Sequence, residues 1–267
     1  MKVAFLGSAG SIPGAGKANT SIVVASSAAS ETASTIVQVD CSGTPLAALA
    51  AIGVDPLAVD VLVLSHTHTD HLYALPSFIH GQLMLGRTRP LSIWGEVATL
   101  DRGSQILGVF GLLSRCDVFG LNWIPITTGV FRTLPGGGLA VMAFPVEHSV
   151  PTLGLLFEEG DRRLCYSCDT RPCAALTAAS QGAAVLVHEA SGVSAREIEL
   201  NAAGHSSARQ AGLAASEAGA ERLFIVHLPR EVQAEGTEAE SFLAEARSSF
   251  SGDAAIPDLF RWYDVGS

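Results

Sequence analysis

The stretch of sequence that decides the fold is Val59–Leu72, which reads V-D-V-L-V-L-S-H-T-H-T-D-H-L. Its first half is an apolar run as long as a buried strand, and we predict that the strand ends at Ser65. Four side chains with nitrogen or oxygen donors follow within six residues: His66, His68, Asp70 and His71. Burying such groups without partners is costly, and imidazole and carboxylate are ligands that Zn²⁺ and similar ions prefer. The stretch therefore predicts a metal site at a strand end, against the alternative of a polar cap on that strand.

The spacing within this run favours two adjacent metal ions. We expect an extended loop after Ser65, in which alternate side chains share one side. His66, His68 and Asp70 would then converge, while His71 would turn the other way. Donors on two sides suit a pair of ions better than a single ion.

Short apolar runs recur along the chain and predict a mixed α/β protein. The predicted strands are Val3–Leu6, Ser21–Ala25, Thr35–Val39, Val59–Ser65, Leu139–Phe144, Thr152–Glu158, Leu164–Ser167, Ala184–His188 and Leu223–Val226. The predicted helices are Thr44–Ile52, Glu96–Leu113, Ser207–Ala218 and Thr237–Ser248. Loops are expected at Ala25–Ser34 and at the glycine-rich Gly7–Gly16, the latter near a site.

Further histidines and acidic residues stand at the ends of predicted strands. They lie in F-P-V-E-H-S-V-P-T-L-G (144–154), Y-S-C-D-T (166–170), V-H-E-A-S (187–191), A-G-H-S-S-A-R-Q (203–210) and F-I-V-H-L-P (224–229). Taken in this order with the H-T-H-T-D-H run and the early F-L-G-S-A-G-S-I-P and N-T-S segments, they resemble the metallo-β-lactamase superfamily. Within it, the chain is similar to ribonuclease Z and to phosphodiesterase relatives without the exosite arm. The resemblance implies an α/β fold, a four-layer αββα sandwich, formed as one domain by residues 1–267.

The resemblance also implies two divalent metal ions per chain, with Zn²⁺ expected first and Mn²⁺ or Fe as alternatives. Its ligands fall into two groups that share one carboxylate: His66, His68 and His148 for one ion, Asp70, His71 and His227 for the other, and Asp169 for both. Two such ions can share a hydroxide and hold the two oxygens of a displacement reaction.

Three residues are candidates for catalysis. In the resembled family the histidine of the G-H-S-S motif stands over the metals, so His205 is expected to assist the leaving oxygen when the shared hydroxide attacks a phosphodiester. Asp70 or Asp169 is expected to orient that hydroxide, and Glu189 to orient a site histidine. The alternatives are a histidine in a helix cap region for His205 and a structural carboxylate for Glu189.

The composition of the chain excludes some classes of protein. The 267 residues carry 16 Lys+Arg against 26 Asp+Glu, a net charge of −10, and 48% of them are hydrophobic. This balance excludes a disordered chain and argues against a broadly basic nucleic-acid binder. No uncharged stretch reaches the roughly 18 residues of a spanning helix, and the apolar start of the chain is too short for a signal peptide. We therefore predict a cytoplasmic protein without a membrane partner.

The resemblance predicts a hydrolase of ester bonds and favours a phosphodiesterase. Enzymes of the family that process tRNA 3′ ends usually have a protruding arm between the ligands that match His148 and Asp169. Only 20 residues separate these two here, and a predicted hairpin turned at residues 159–161 uses them. A small-molecule or single-stranded phosphodiester substrate is therefore expected rather than structured tRNA. An open groove lined by Arg87, Arg89 or Arg132 would favour RNA instead.

Three other functions stay open from the sequence. They are a lactone, thioester or arylsulfate ester hydrolase on the same site, a tRNA 3′-processing endoribonuclease, and a non-catalytic metal-binding or redox protein. The redox protein would use Cys165 and Cys168, which are otherwise expected to be small buried groups. A homodimer could form through apolar surface in Leu72–Leu85 or Ile106–Leu113, although both stretches fit core helices equally well.

Overall fold

The computed structural model describes residues 1–27, 34–233 and 237–266, which form two seven-stranded sheets. The first sheet has the spatial order β14 (Trp262–Asp264), β1 (Lys2–Gly7), β2 (Ser21–Ala25), β3 (Ile36–Val39), β4 (Val61–Leu64), β5 (Leu91–Gly95), β6 (Leu121–Pro125). The second has the order β13 (Asp253–Ala255), β12 (Arg222–Val226), β11 (Val185–Glu189), β10 (Arg162–Tyr166), β9 (Thr152–Glu159), β8 (Ala140–Val146), β7 (Arg132–Thr133).

The two sheets and their helices build four layers. One apolar cluster fills the space between the sheets. A second joins the outer face of the first sheet to α1 (Pro45–Ala51), α3 (Leu75–Met84) and α4 (Val97–Val109). A third joins the second sheet to α5 (Ala174–Ser180), α7 (Ala208–Ala218) and α8 (Thr237–Arg247). Two short helices, α2 (Thr69–Leu72) and α6 (Glu197–Ala203), adjoin the candidate site. The predicted α/β fold with αββα layers is confirmed.

Strand β4 illustrates why the apolar runs become strands. All four residues of V-L-V-L are buried because both faces of the sheet are covered. Val61 and Val63 face the second sheet, whereas Leu62 and Leu64 face the helices. A continuous apolar run is typical of a strand with parallel neighbours on both sides, and β3 and β5 both pair with β4 in parallel.

Strand direction places the chemistry at one edge of the second sheet. Strands β10, β11 and β12 are parallel. Strand β8 has the same direction, because β9 is antiparallel to both β8 and β10. The carboxyl ends of these four strands therefore lie at one edge, which is where α/β sheets commonly bind ligands.

All nine predicted strands and all four predicted helices are confirmed, with shifts at their ends. The hairpin between His148 and Asp169 is also confirmed, since β9 and β10 pair directly around Gly160, whose φ of 64° suits glycine. Strands β5, β6, β7, β13 and β14 were not predicted. Residues 28–33 of the expected loop Ala25–Ser34 lie outside the described residues, and the single-domain assignment of residues 1–267 stays a prediction.

The apolar stretches considered for a homodimer divide between core and surface. In Leu72–Leu85 most large apolar side chains are buried, while Tyr73, Met84 and Leu85 are exposed. In Ile106–Leu113 only Leu107 and Leu112 are buried, while Val109, Phe110 and Leu113 are exposed. Homodimer formation stays a prediction. Within the described ranges no helix combines the length and the apolar character needed to cross a bilayer. The cytoplasmic location also stays a prediction.

Candidate metal centre

Two histidines enter the site directly after β4. His66 is fully buried, and His68 is the residue before the helical turn α2. The extended loop predicted from the spacing was wrong beyond His68, because the backbone instead closes a turn in which Tyr73 N donates to Thr69 O over 2.9 Å. Such a turn satisfies backbone groups locally in a buried segment. It also directs His71 into the site rather than away from it, with its Nε2 atom 3.4 Å from Asp169 Oδ2.

Three more donors come from the second sheet. His148 follows β8, Asp169 follows β10 and His227 follows β12, so all three stand at the edge where these strands end. The Asp169 carboxylate lies at the centre of the donors. Its Oδ2 atom is 3.1 Å from His227 Nε2, 3.4 Å from His71 Nε2, 3.7 Å from His66 Nε2 and 4.0 Å from His148 Nε2.

Among four overlapping groups of close donor atoms in the described residues, two adjacent groups contain the expected ligands. In each group the atoms lie within 4.8 Å of one another: His66, His68, His148 and Asp169 in the first, and Asp70, His71 and His227 in the second. All seven residues proposed from the sequence as ligands are therefore brought together. Two groups that meet at one carboxylate are compatible with a dinuclear site.

The unpaired atoms of the site fit divalent cations. Four buried atoms of the described chain have no hydrogen-bond partner and face this space: Nε2 of His66, His71 and His227, and Oδ1 of Asp169. Buried polar atoms in proteins almost always have partners. The opposite ring nitrogens are engaged, His71 Nδ1 with Asp40 Oδ2 at 2.7 Å and His227 Nδ1 with Ser191 Oγ at 2.9 Å. An engaged Nδ1 and an unpaired Nε2 are what a metal-binding histidine requires.

Comparison with known proteins supplies the family. The family model described as the beta-lactamase superfamily domain matches residues 37–228. The chain belongs to this superfamily. Over 97% of its length it is 26% identical to Ribonuclease Z from Methanothermobacter thermautotrophicus, of which it covers 95%.

Solved structures of the superfamily share the fold. The metallo-beta-lactamase fold protein YhfI from Bacillus subtilis matches with a TM-score of 0.79 at 23% identity, covering 98% of both chains. The short form of human tRNase Z matches with a TM-score of 0.77 at 18% identity, covering 100% of both chains. At these identities the two matches establish the fold.

One buried carboxylate of the site was missed in the sequence. Asp40 follows β3 and accepts hydrogen bonds from His71 Nδ1, from Ser65 Oγ over 2.9 Å and from Ser65 N over 2.8 Å. It thereby fixes the orientation of the His71 ring. Its position directly after the buried run I-V-Q-V matches that of His66 after β4, and this was the available signal.

Charges within the site set the protonation states of its donors. Burial lowers the pKa of His66 well below 6.5, which favours the neutral ring that binds metal. Burial opposes the ionisation of Asp169, but the charges of His227 and His71 hold its pKa well below the usual range. Burial also opposes protonation of His71, but the Asp169 and Asp40 charges raise its pKa.

The His205 ring contacts one histidine from each group of donors. Its ring lies edge-on to His148, with centroids 4.8 Å apart, and stacks on His227 at 5.2 Å. Its Nδ1 atom is 2.8 Å from Oε1 of the buried Glu189. Burial lowers the pKa of His205, but the charge and hydrogen bond of Glu189 outweigh it and raise the pKa to about 9. Gly204 before it is in the left-handed region, and a Cβ there would lie 2.9 Å from His148 Nδ1.

A cavity of about 610 Å³ opens over the site. It is lined by Ser11, Pro13, Asn19, His68, Thr69, Asp70, Tyr73 and His205. The glycine-rich segment Gly7–Gly16 thus forms part of the wall, as expected of a loop near a site, and Gly10 packs against the His227 ring. Tyr73 was missed in the sequence; its hydroxyl donates to Asn19 Oδ1 over 3.1 Å.

The arginines considered for an RNA groove are engaged elsewhere. Arg87 is 4% exposed, and its guanidinium donates to four backbone carbonyls, among them Val59 O and Pro90 O. Arg89 bonds Leu57 O and Asp60. Arg132 lies over the Trp94 ring. Among the described residues that line the cavity there is no lysine or arginine.

The two cysteines beside Asp169 are free and buried. Cys165 packs in the core under the helices, whereas Cys168 packs between the sheets. Burial raises the pKa of both thiols, which keeps them protonated and unreactive. The expectation that they are small buried groups is confirmed.

Proposed function

We propose that the protein is a dinuclear metal-dependent hydrolase that cleaves phosphodiester bonds. The observation that carries the proposal is the set of unpaired Nε2 and carboxylate atoms that converge on one buried space. The ribonuclease Z relative, matched over nearly its full length, supports phosphodiester chemistry.

The two groups of donors define which residues would hold the ions. We assign His66, His68 and His148 to one ion, Asp70, His71 and His227 to the other, and Asp169 to both. Imidazole nitrogen with carboxylate oxygen favours Zn²⁺, with Mn²⁺ or Fe as alternatives. When bound, two such ions supply activated water at neutral pH and hold phosphate oxygens.

His205 is the group we assign to the leaving oxygen. Glu189 accepts the hydrogen bond of His205 Nδ1, so Nε2 is the ring nitrogen that can contact a substrate. The His205 ring lines the cavity in which that substrate would bind. The Glu189 charge favours the protonated ring, which can donate a proton. Asp70 also lines the cavity and can orient a water molecule there. Glu189 acts through His205 and is a positioning residue.

The substrate we propose is a small or single-stranded phosphodiester. Binding a duplex requires several cationic contacts to phosphates. No lysine or arginine is among the described residues that line the cavity, and Arg87, Arg89 and Arg132 are engaged elsewhere. The hairpin between β9 and β10 leaves no room for an arm. A tRNA 3′-processing endoribonuclease is the second candidate, favoured by the names of the ribonuclease Z and tRNase Z relatives.

Hydrolysis of bis(p-nitrophenyl) phosphate by the Zn²⁺- or Mn²⁺-loaded protein tests the proposal. We expect activity that a chelator abolishes, and a loss of about 10²–10⁴-fold in kcat for His205→Ala. His80→Ala is the matched control, because His80 is an exposed histidine on α3. A wild-type protein that is inert on phosphodiesters but opens lactones or cleaves thioesters or arylsulfates would overturn the substrate class. Cleavage of pre-tRNA in preference to single-stranded RNA would favour the second candidate.

A further inference from the structure

A serine hydroxyl joins the metal centre to the His205–Glu189 pair. Ser191 lies two residues beyond the end of β11 and is half-buried. Its Oγ atom is 2.9 Å from His227 Nδ1, 3.1 Å from Glu189 Oε2 and 3.2 Å from His205 Nδ1. One hydroxyl is therefore within hydrogen-bond distance of three different residues of the site.

The number of protons fixes the direction of these hydrogen bonds. In the proposed function, His227 presents Nε2 to a metal ion, so Nδ1 carries the ring proton and can only donate. Ser191 Oγ must accept that proton, and its own hydrogen then goes to the Glu189 carboxylate, which can only accept. Glu189 uses its other oxygen to accept from His205 Nδ1, the shorter of the two contacts of that nitrogen. This arrangement gives a partner to the hydroxyl, to both Nδ1 atoms and to both Glu189 oxygens.

The backbone holds Ser191 in place. Its N–H donates to Ser206 O over 3.0 Å, in the segment that carries His205. The preceding N–H, that of Ala190, donates to Val226 O over 2.9 Å, directly before His227. The hydroxyl is therefore fixed relative to both histidines that it joins.

We infer that Ser191 is a positioning residue that orients His227 as a metal ligand and also holds Glu189 against His205. The inference rests on the proposed function and deepens it. Without the hydroxyl, the Nδ1–H of His227 and one Glu189 oxygen lose their partners, and unpaired buried groups are costly. Removing an outer partner of a ligating histidine typically weakens metal binding about 10–100-fold.

Metal affinity measured by chelator competition, without substrate, tests this inference. Ser191→Ala and Ser191→Gly should bind one of the two ions about 10–100-fold more weakly, whereas Ser191→Thr keeps the hydroxyl and should restore wild-type affinity. Ser180→Ala is the matched control, since Ser180 is a buried serine whose hydroxyl bonds only the backbone carbonyl of Thr177. Circular dichroism of the metal-free variants should show unchanged folds.

The outcomes separate this inference from the proposed function. Wild-type affinity for both ions in Ser191→Ala, or an equal loss in Ser191→Thr, overturns the role of Ser191. A folding defect in Ser191→Ala and Ser191→Gly that Ser191→Thr also shows overturns it as well. If the wild-type protein fails to cleave phosphodiesters while Ser191→Ala still weakens metal binding, the proposed substrate class falls and the positioning role stands.

Discussion

The two halves of the candidate metal centre differ in what stands behind their ligands. In the half formed by His66, His68 and His148, the direct supporting contacts are neutral: His66 Nδ1 meets Ser65 Oγ at 3.0 Å, and His148 Nδ1 meets Gly204 O at 2.8 Å. We call this the His66 half.

In the half formed by Asp70, His71 and His227, one histidine has a direct anionic support. Asp40 accepts directly from His71, whereas Glu189 stands behind His227 only through Ser191, as Asp40 stands behind His66 only through Ser65. We call this the His71 half. It also contributes a ligand carboxylate of its own, Asp70. A carboxylate behind a histidine raises the basicity of the ligand, so the same residue type should bind metal more strongly in the His71 half.

Removing the shared carboxylate should have the largest effect, because it breaks both halves. Asp169→Asn keeps the shape of the side chain but removes the charge that faces four imidazole nitrogens. We expect metal content to fall from two ions to one or fewer. Phosphodiester hydrolysis should fall at least about 10³-fold, which corresponds to about 4 kcal/mol. Metal analysis and kcat/KM measure the two effects.

The control for this variant is Asp161→Asn, in the exposed turn of the β9–β10 hairpin. It should retain both ions and full activity. Retention of two tightly bound ions by Asp169→Asn would contradict a bridging role.

A matched pair of substitutions tests the difference between the halves. Asp40→Asn should lower the affinity for the ion of the His71 half by about 10–100-fold, because His71 loses its direct anionic support. Asp40 has a φ of 61°, a conformation that asparagine tolerates, so the backbone should be retained. Ser65→Ala removes the neutral hydroxyl that His66 contacts and one of the hydrogen bonds to Asp40, while the Ser65 N–H bond to Asp40 stays. It should weaken binding of the ion in the His66 half only a few-fold, since a neutral hydrogen bond contributes less. Equal losses in the two variants would show that the halves do not differ in this way.

A smaller effect is expected in the order in which a chelator removes the two ions. The ion of the His66 half should leave first, with an affinity lower by about tenfold, the weaker end of what outer partners contribute. Anomalous scattering from crystals treated with limiting chelator distinguishes the two positions. Asp40→Asn, with its expected loss of about 10–100-fold, should equalise the two affinities or reverse the order. If the chelator removed the ion of the His71 half first from the wild-type protein, the expected difference in affinity between the halves would be contradicted.

The sequence predicted the expected ligands of both halves to the same extent. The spacing of H-T-H-T-D-H identified four donors without any tertiary information, because the residues are adjacent. His148, Asp169 and His227 came from the resemblance, since nothing local marks a single histidine after a strand as a ligand. The turn at Thr69–Leu72 was not predicted, because the spacing alone does not distinguish a helical turn from an extended loop.

The residues behind the ligands were the hardest to predict. Asp40 lies 31 positions before His71, and only the parallel pairing of β3 and β4 brings the two together. Ser191 was visible in V-H-E-A-S, but its contact to His227 spans 36 positions. For the fold, β5 and β6 were missed because L-S-I-W-G and L-N-W-I-P are short and lie beside prolines that also favour loops.

The smallest expected effect is in the pH dependence of the stability of the metal-free protein. It should distinguish the halves, because the pKa values of His66 and His71 are shifted in opposite directions. The pKa of His66 lies below 6.5, its value in the unfolded chain, so the unfolded state binds more protons and stability falls as the pH drops below about 6.5. The pKa of His71 lies above 6.5, so its contribution is complete below that pH and is lost as the pH rises through the raised pKa. His66→Gln should therefore flatten the acidic side of the stability profile, and His71→Gln the alkaline side. Urea unfolding of the chelator-treated proteins between pH 5 and pH 9 measures both, and identical profiles for the two variants would contradict the opposite shifts.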